Sequence, residues 1–276
     1  MTDRSQSFES FTNEPAYVQV NEGLVERIFE HLPAGRTHGV LDIAAGTGLM
    51  TRLAWSRART RGGEIRSVLF DLDLPALLQT RDEIPPNAVK GYVCTSADRL
   101  PFTQAFDVAL FANCVHLLDS RAKVDALAET RRVLHPGGVL GMNSAFYDGA
   151  YPAESQPFYG RWIRRAVAES SRTLPRRVKA DKAQARQWLS AAGYRDLVVR
   201  AGFRVLEMRE RRVLLSQAAV CAISSYRDFA MGALRATEED AREASRALRA
   251  TVQQTFLDLH MTYLPHNWLE IVAVKV

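Results

Sequence analysis

No run of 18 or more apolar residues occurs in the 276-residue chain, so no segment is long enough to cross a bilayer as a helix. No basic-then-apolar leader opens the sequence, and it reads as a soluble, cytoplasmic protein without a membrane span. Cysteine is scarce: Cys94, Cys114 and Cys221 are all there is, and none stands at metal-knuckle or redox-pair spacing. That excludes a disulfide framework, fits a reducing compartment and leaves core packing as the expected role of the thiols. No metal site is expected. Internal repeats, low-complexity tracts and recognisable nucleic-acid modules are also missing.

Apolar bulk is plentiful. At 47% hydrophobic content the chain can bury a substantial core, and it is longer than one minimal α/β domain requires. The net charge of +5 is concentrated: between Gly160 and Arg186 stand nine Arg/Lys against two acids, Glu169 and Asp181. Little aromatic interleaving accompanies that charge, which disfavours nucleic acid as a partner. A basic cap over an acidic small molecule, a docking face for an acidic carrier protein and a solvated helix face all remain open.

The most informative stretch is Val40-Leu41-Asp42-Ile43-Ala44-Ala45-Gly46-Thr47-Gly48-Leu49. A short run of strand formers ends in a small-residue turn, and a helical pattern follows over 49–57. A dinucleotide fingerprint would place its third glycine at position 51, which is threonine. Glycines 46 and 48 permit positive φ and close approach to a flat ligand. An acid beside the turn would repel a pyrophosphate and suit a cationic group.

Ser67-Val68-Leu69-Phe70-Asp71 reads as a second buried strand ending in an acid, 29 residues after Asp42. A carboxylate there can take two vicinal ribose hydroxyls. Asp73 competes for that role, but Asp71 directly ends the apolar run, and Leu72 would then lie against an adenine face. Strands over 91–95, 106–113 and 139–144 follow, with a helix over 122–134 and a turn at His135-Pro136-Gly137-Gly138.

Together, acid-x-Ala-x-Gly-x-Gly, Ser96-Ala97-Asp98-Arg99-Leu100-Pro101-Phe102, Asn113-Cys114-Val115-His116 and the Leu-x-Pro-Gly-Gly turn resemble the class I S-adenosylmethionine-dependent methyltransferases over residues 39–146. The resemblance implies an α/β fold: a Rossmann-like, seven-stranded, mostly parallel sheet with the last strand antiparallel, helices on both faces, and a helical cap or lid. It also implies S-adenosyl-L-methionine as cofactor, held by Asp42, Ala44, Gly46, Thr47, Gly48, Asp71, Leu72, Ser96, Ala97 and Asn113. Ser96 stands where the family has an acid for the adenine amine, so either its hydroxyl or Asp98 must substitute. No Asp/Asn-Pro-Pro-aromatic tetrapeptide follows strand four, which argues against enzymes that grip a flipped base.

Four regions are expected: a helical cap over 1–34, the cofactor core over 35–146, a helical lid over 147–192, and 193–276 completing the sheet with a helical insertion over 216–264. Lid helices are expected over 158–173 and 179–192, broken at Leu174-Pro175, and later helices over 216–234 and 237–261. Strand six is expected over 204–215 and the last over 268–276.

Methyl transfer from a sulfonium needs alignment and, for a weakly acidic acceptor, a base. The candidates are His116, which could equally be structural, Glu169 and Tyr17. Glu169 shares a helix face with Phe158, Trp162 and Ala166, where apolar surroundings would raise its pKa. An intrahelical pair with Arg165 or Arg172 is the alternative. Tyr147, Tyr159, Trp162 and Arg165 are expected to contact the acceptor, with Arg161, Arg164 or Arg165 holding any anionic group.

The expected activity is methylation of a small hydrophobic metabolite of specialised or lipid-like metabolism. A prenyl diphosphate methylated at carbon, with Glu169 as base, is its sharpest form. A carrier-bound or nucleic-acid substrate, or a non-catalytic cofactor-binding partner protein, are the alternatives. A homodimer is compatible with the sequence.

Overall fold

The structure is a computed structural model describing residues 9–171 and 188–276. Its strands are β1 (Thr37–Ile43), β2 (Glu64–Asp71), β3 (Val89–Cys94), β4 (Phe106–Ala112), β5 (Leu134–Ser144), β6 (Phe203–Leu215) and β7 (Leu264–Lys275). They form one seven-stranded sheet in the order β3-β2-β1-β4-β5-β7-β6. The pairings from β3 across to β5 are parallel, and β7 runs antiparallel to β5. Helices α1 (Glu9–Thr12) and α2 (Pro15–Glu30) precede β1. Parallel neighbours need crossovers, supplied by α3 (Leu49–Thr60), α4 (Leu74–Gln79) and α5 (Ser120–Val133). The expected Rossmann-like class is the observed one.

Strand order reverses between β1 and β4: β2 and β3 extend to one side, β5 to the other. In doubly wound sheets ligands bind at the carboxyl ends of the strands flanking such a reversal. Backbone strain gathers at the same place. Ala44 (φ 57°), just after β1, and Asn113 (φ 48°), just after β4, both adopt the left-handed region despite carrying a Cβ.

By compactness the described chain divides in two. Residues 19–149, 188–211 and 268–276 form a sheet unit, and 9–18, 150–171 and 212–267 a mainly helical one. In the sheet unit, Leu24, Val25, Ile28 and Phe29 form one face of α2 and share a core with Val40, Val108, Leu110 and Val139. A buried carboxylate, Glu270, ties this unit together. Its Oε2 accepts from Arg27 Nη2 and Arg209 Nε, each at 2.7 Å. Removing either partner would leave a buried charge under-compensated.

The helical unit holds α1, α6 (Gln156–Ser170), α8 (Gln217–Ser225), α9 (Arg227–Leu234) and α10 (Ala241–Asp258). Its centre is Trp162, fully buried, stacked on Phe229 at 5.9 Å and donating from Nε1 to the Leu248 carbonyl at 2.9 Å. Trp162→Ala should therefore cost ~3–5 kcal/mol, read as a lowered denaturation midpoint of the full chain.

Several boundaries shift from expectation. The helix expected over 216–234 breaks at Tyr226, which is extended (ψ 121°). Just before it, Ser224 and Ser225 turn their hydroxyls back onto the Val220 and Cys221 carbonyls, competing with helix continuation. The helix expected from 237 starts at Ala241, with the Thr237 hydroxyl accepting only from the Asp240 amide at 3.3 Å. The turn at 135–138 is an irregularity within β5: Leu134 pairs with Phe106 and Val139 with Val108. The expected break at Leu174-Pro175 and most of the helix over 179–192 lie outside the described residues. From there the structure shows α7 (Ala191–Arg200) leading into β6.

Candidate cofactor and acceptor site

The turn after β1 is built by its own acids. Asp42 ends β1 facing inward, 1% exposed, and its Oδ2 accepts from both the Thr51 amide (3.0 Å) and the Thr51 hydroxyl (2.6 Å). The N-cap of α3 is Gly48, which offers no side chain, so an acid from the preceding strand satisfies an otherwise orphaned helix amide. Burial pushes the Asp42 carboxyl up to about 7, opposed by the two Thr51 hydrogen bonds. Asp42 thus acts on the cofactor turn from behind. That role explains the threonine at position 51.

Gly48 (φ 76°) has a second reason to lack a side chain. A Cβ there would sit 2.9 Å from Thr80 Cγ2 and 3.0 Å from Ile84 Cδ1. Gly48→Ala should combine strain and overpacking, lowering stability by ~1–3 kcal/mol in urea denaturation. Gly46 (φ 52°) differs: a Cβ there would meet nothing within 4 Å. The space beside the turn is open, as a cradle for a ligand must be. Thr47 presents its carbonyl to Arg52 Nη1 at 2.7 Å, and Arg52 also pairs with Glu83.

Asp71, at the end of β2, receives the Gly46 amide on Oδ2 (2.8 Å) and the Asp73 amide on Oδ1 (2.9 Å). Each oxygen keeps a further lone pair, so the carboxylate is anchored to the turn yet able to accept two hydroxyls. Asp73 serves the next helix instead, its side chain capping α4 by accepting from the Ala76 amide at 3.1 Å. Leu72 beside it is 72% exposed, an apolar surface on a rigid strand end. Ser96 and Ala97 follow β3, half-buried, with the Ser96 carbonyl accepting from the Arg99 amide at 3.2 Å.

After β4 the chain is locked by asparagines. The Asn113 amide donates to Asn143 Oδ1 (2.9 Å), Asn113 Oδ1 accepts from the Ala145 amide (2.9 Å), and Asn143 Nδ2 donates to Asn21 Oδ1 (2.8 Å). Asn113 therefore shapes the strand end with its own side chain. Cys114 follows, its thiol pushed up to about 12 by burial and the nearby Asp71 charge. Cys94, expected in the core, is exposed at the end of β3.

His116 is 6% exposed, on a short turn (Val115–Leu117), with Nδ1 at 3.3 Å from Ser144 Oγ. Burial, with the Lys123 charge behind it, lowers its pKa to about 3, so it is neutral at physiological pH. It can accept a hydrogen bond but does not hold a proton strongly. Its ring lies 4.6 Å from Phe146, which lies 6.3 Å from Trp188. Tyr147 is also buried in this unit, and burial with Glu210 nearby pushes its phenol up.

The other expected site residues belong to the helical unit, and most are committed there. Tyr17 is buried against Phe11 at 5.2 Å. The Tyr159 hydroxyl meets His266 Nδ1 at 3.1 Å, and Trp162 is core. Arg165 and Arg161 both turn to Asp258, Arg165 through Nη2, while its Nη1 is buried without a hydrogen-bond partner. Glu169 stands 3.1 Å from Arg246 of α10, which also binds Glu243. The apolar pocket expected around this carboxylate is thus replaced by an ion pair to another helix; of the two expected intrahelical partners, Arg165 pairs with Asp258 and Arg172 lies outside the described residues. Among the described residues no group of His, Cys, Asp and Glu could hold a metal ion.

A doubly wound sheet with an open glycine cradle, an acid poised for two hydroxyls and an exposed apolar strand end defines a nucleoside-binding α/β protein. These residues fit S-adenosylmethionine, whose nucleoside has a ribose and an adenine but no phosphate. A family model described as a methyltransferase domain matches residues 40–138. The ubiquinone/menaquinone biosynthesis C-methyltransferase UbiE of Stutzerimonas stutzeri is 34% identical over 183 residues, 58% of this chain and 67% of that one. The malonyl-[acyl-carrier protein] O-methyltransferase of a Marinomonas species is 26% identical over 156 residues, 56% of this chain and 53% of that one. The chain thus spans between about half and two thirds of these relatives.

Solved structures share the fold. The YcgJ protein of Bacillus subtilis superposes with TM-score 0.54 at 13% identity, covering 93% of this chain and 98% of that one. The [4+2]-cyclase SpnF does so with TM-score 0.53 at 18% identity, covering 93% and 81%. A cyclase on this fold shows that the fold alone does not fix the chemistry. The chain belongs to the class I S-adenosylmethionine-dependent methyltransferases, and S-adenosylmethionine is its cofactor. No described helix is long and apolar enough to cross a membrane.

Proposed function

We propose that this enzyme methylates a small hydrophobic acceptor, by in-line displacement, at the carboxyl ends of β4 and β5. The observation that carries the reading is the aromatic shelf of His116, Phe146 and Trp188, which follows the same edge of the sheet as the glycine cradle and Asp71. An apolar, aromatic wall suits a flat or lipid-like ring. The likeness to a quinone-biosynthesis C-methyltransferase supports the same acceptor class.

When bound, S-adenosylmethionine supplies an already activated methyl group. The chain then has to hold and align the reactants and exclude water. Asp71 takes the ribose hydroxyls, Gly46 leaves room for the nucleoside, Leu72 and Ala97 flank the adenine, and Ser96 lies at its edge. Asp42 holds the turn rigid through Thr51. On this reading the protein works in the cytoplasm, in specialised or lipid-like metabolism.

A carrier-bound acceptor is the second reading, favoured by the net charge of +5 and by the likeness to a malonyl-carrier methyltransferase. The test offers the full chain methyl-labelled S-adenosylmethionine with a prenylated naphthohydroquinone, a malonyl-loaded acyl carrier protein, or RNA. Label should enter the hydroquinone. Transfer only to the carrier or only to RNA would replace the reading.

A further inference from the structure

His116 is buried next to a hydroxyl that has little freedom. Ser144 Oγ lies 3.0 Å from the Phe146 carbonyl, to which it donates, and it accepts from the Phe146 amide at 3.1 Å. A hydroxyl has a single proton, and the shorter contact to the Phe146 carbonyl takes it. Ser144 then has no proton for His116 Nδ1 at 3.3 Å, so the imidazole must be the donor in that contact. Tyr194, fully buried behind, places its phenol 3.5 Å from the same oxygen, the longest of these contacts, while the two lone pairs of Oγ go to the Phe146 amide and to His116. In a neutral imidazole, a proton on Nδ1 leaves Nε2 with a lone pair. Nε2 has no hydrogen-bond partner among the described residues.

We propose that Ser144 is a positioning residue for His116: it fixes the imidazole as the Nδ1–H tautomer, so that Nε2 accepts a hydrogen bond from an O–H or N–H of the methyl acceptor. This rests on the methyltransferase reading and adds a specificity rule to it. A phenol, enol, alcohol or amine satisfies Nε2. A carboxylate cannot, because two lone pairs would face each other in a buried site.

Before any acceptor binds, burial and Lys123 hold His116 neutral, so a carboxylate acceptor would have to bring a proton in with it. The other titratable groups facing this cluster are Tyr194 and Cys114, both kept protonated by burial, and none offers His116 a negative charge. Lys123 itself donates to the Leu118 carbonyl and is drawn toward Asp119. The site thus selects for hydrogen-bond donors among acceptors of similar shape.

The experiment reads the tautomer directly, with no acceptor present. In long-range proton–nitrogen spectra of the uniformly labelled full chain, His116 should show a protonated Nδ1 and a bare Nε2 from pH 8 down to pH 5. Ser144→Ala should mix the tautomers and Ser144→Thr should restore the single form. Against a prenylated naphthohydroquinone, Ser144→Ala and His116→Ala should each lower kcat/KM at least tenfold, with S-adenosylhomocysteine affinity unchanged within twofold. A wild-type Nε2–H form, an unaltered tautomer in Ser144→Ala, or preferred methylation of a malonyl carboxylate would overturn the proposal. Failure of the wild type to bind S-adenosylhomocysteine would overturn the reading beneath it, and the spectra would still decide the tautomer.

Discussion

Replacing Asp71 by alanine should weaken S-adenosylmethionine binding at least tenfold, a loss of about 1.4 kcal/mol or more. The side chain has two duties, and both are lost together. It offers lone pairs to the ribose hydroxyls, and it clamps the Gly46 and Asp73 amides at 2.8 and 2.9 Å, setting the shape of the cradle. Asp71→Asn keeps one acceptor oxygen and should fall between wild type and alanine. Glu169→Gln is the control, because Glu169 is spent on Arg246 in the helical unit and should leave cofactor affinity unchanged. Calorimetric titration of the three variants checks this, and equal losses for Asp71→Ala and Glu169→Gln would contradict the assignment.

Asp42→Asn should make the protein more stable than wild type at pH 8 and about equally stable at pH 4. In the unfolded chain Asp42 ionises near its ordinary 3.8, and in the fold near 7. Between those values unfolding releases a proton, so the wild type loses stability as pH rises through that window, by up to ~4 kcal/mol in total. The loss is complete above about pH 7. Asparagine retains an oxygen for the Thr51 amide and hydroxyl and never ionises. Urea midpoints at pH 4, 6 and 8 would show the two curves separating as pH rises. An asparagine variant weaker than wild type at pH 8 would mean that the ionised carboxylate stabilises the turn.

The strands and the cradle were legible because their signals are local. Val40 to Gly48 carries a strand, a turn and a helix start within nine residues, and a strand ending in an acid marks Asp71 just as directly. The role of Asp42 was not legible, since whether an acid at a strand end faces the ligand or the helix depends on side-chain direction. Thr51 was the available clue: a hydroxyl nine residues on, at the third position of α3, can return a hydrogen bond to the strand. The helical unit misled for the opposite reason. Phe158, Trp162, Ala166 and Glu169 do share a helix stripe, but α10 packs against that helix and takes Trp162 into its core and Glu169 onto Arg246. Long-range partners such as Arg27 and Glu270, 243 positions apart, leave no periodic trace. Ser144 was equally hidden, because its importance comes from one proton shared among neighbours that only folding assembles.

The crevice between β1 and β4 is shaped for a sulfonium nucleoside and not for a pyrophosphate, and every assignment above depends on that. Calorimetry of the full chain against S-adenosylmethionine, S-adenosylhomocysteine and NAD decides it in one comparison. Saturable binding of the two sulfur nucleosides, with no heat from NAD, is the expected outcome. Binding of NAD with no uptake of either sulfur nucleoside would refute it.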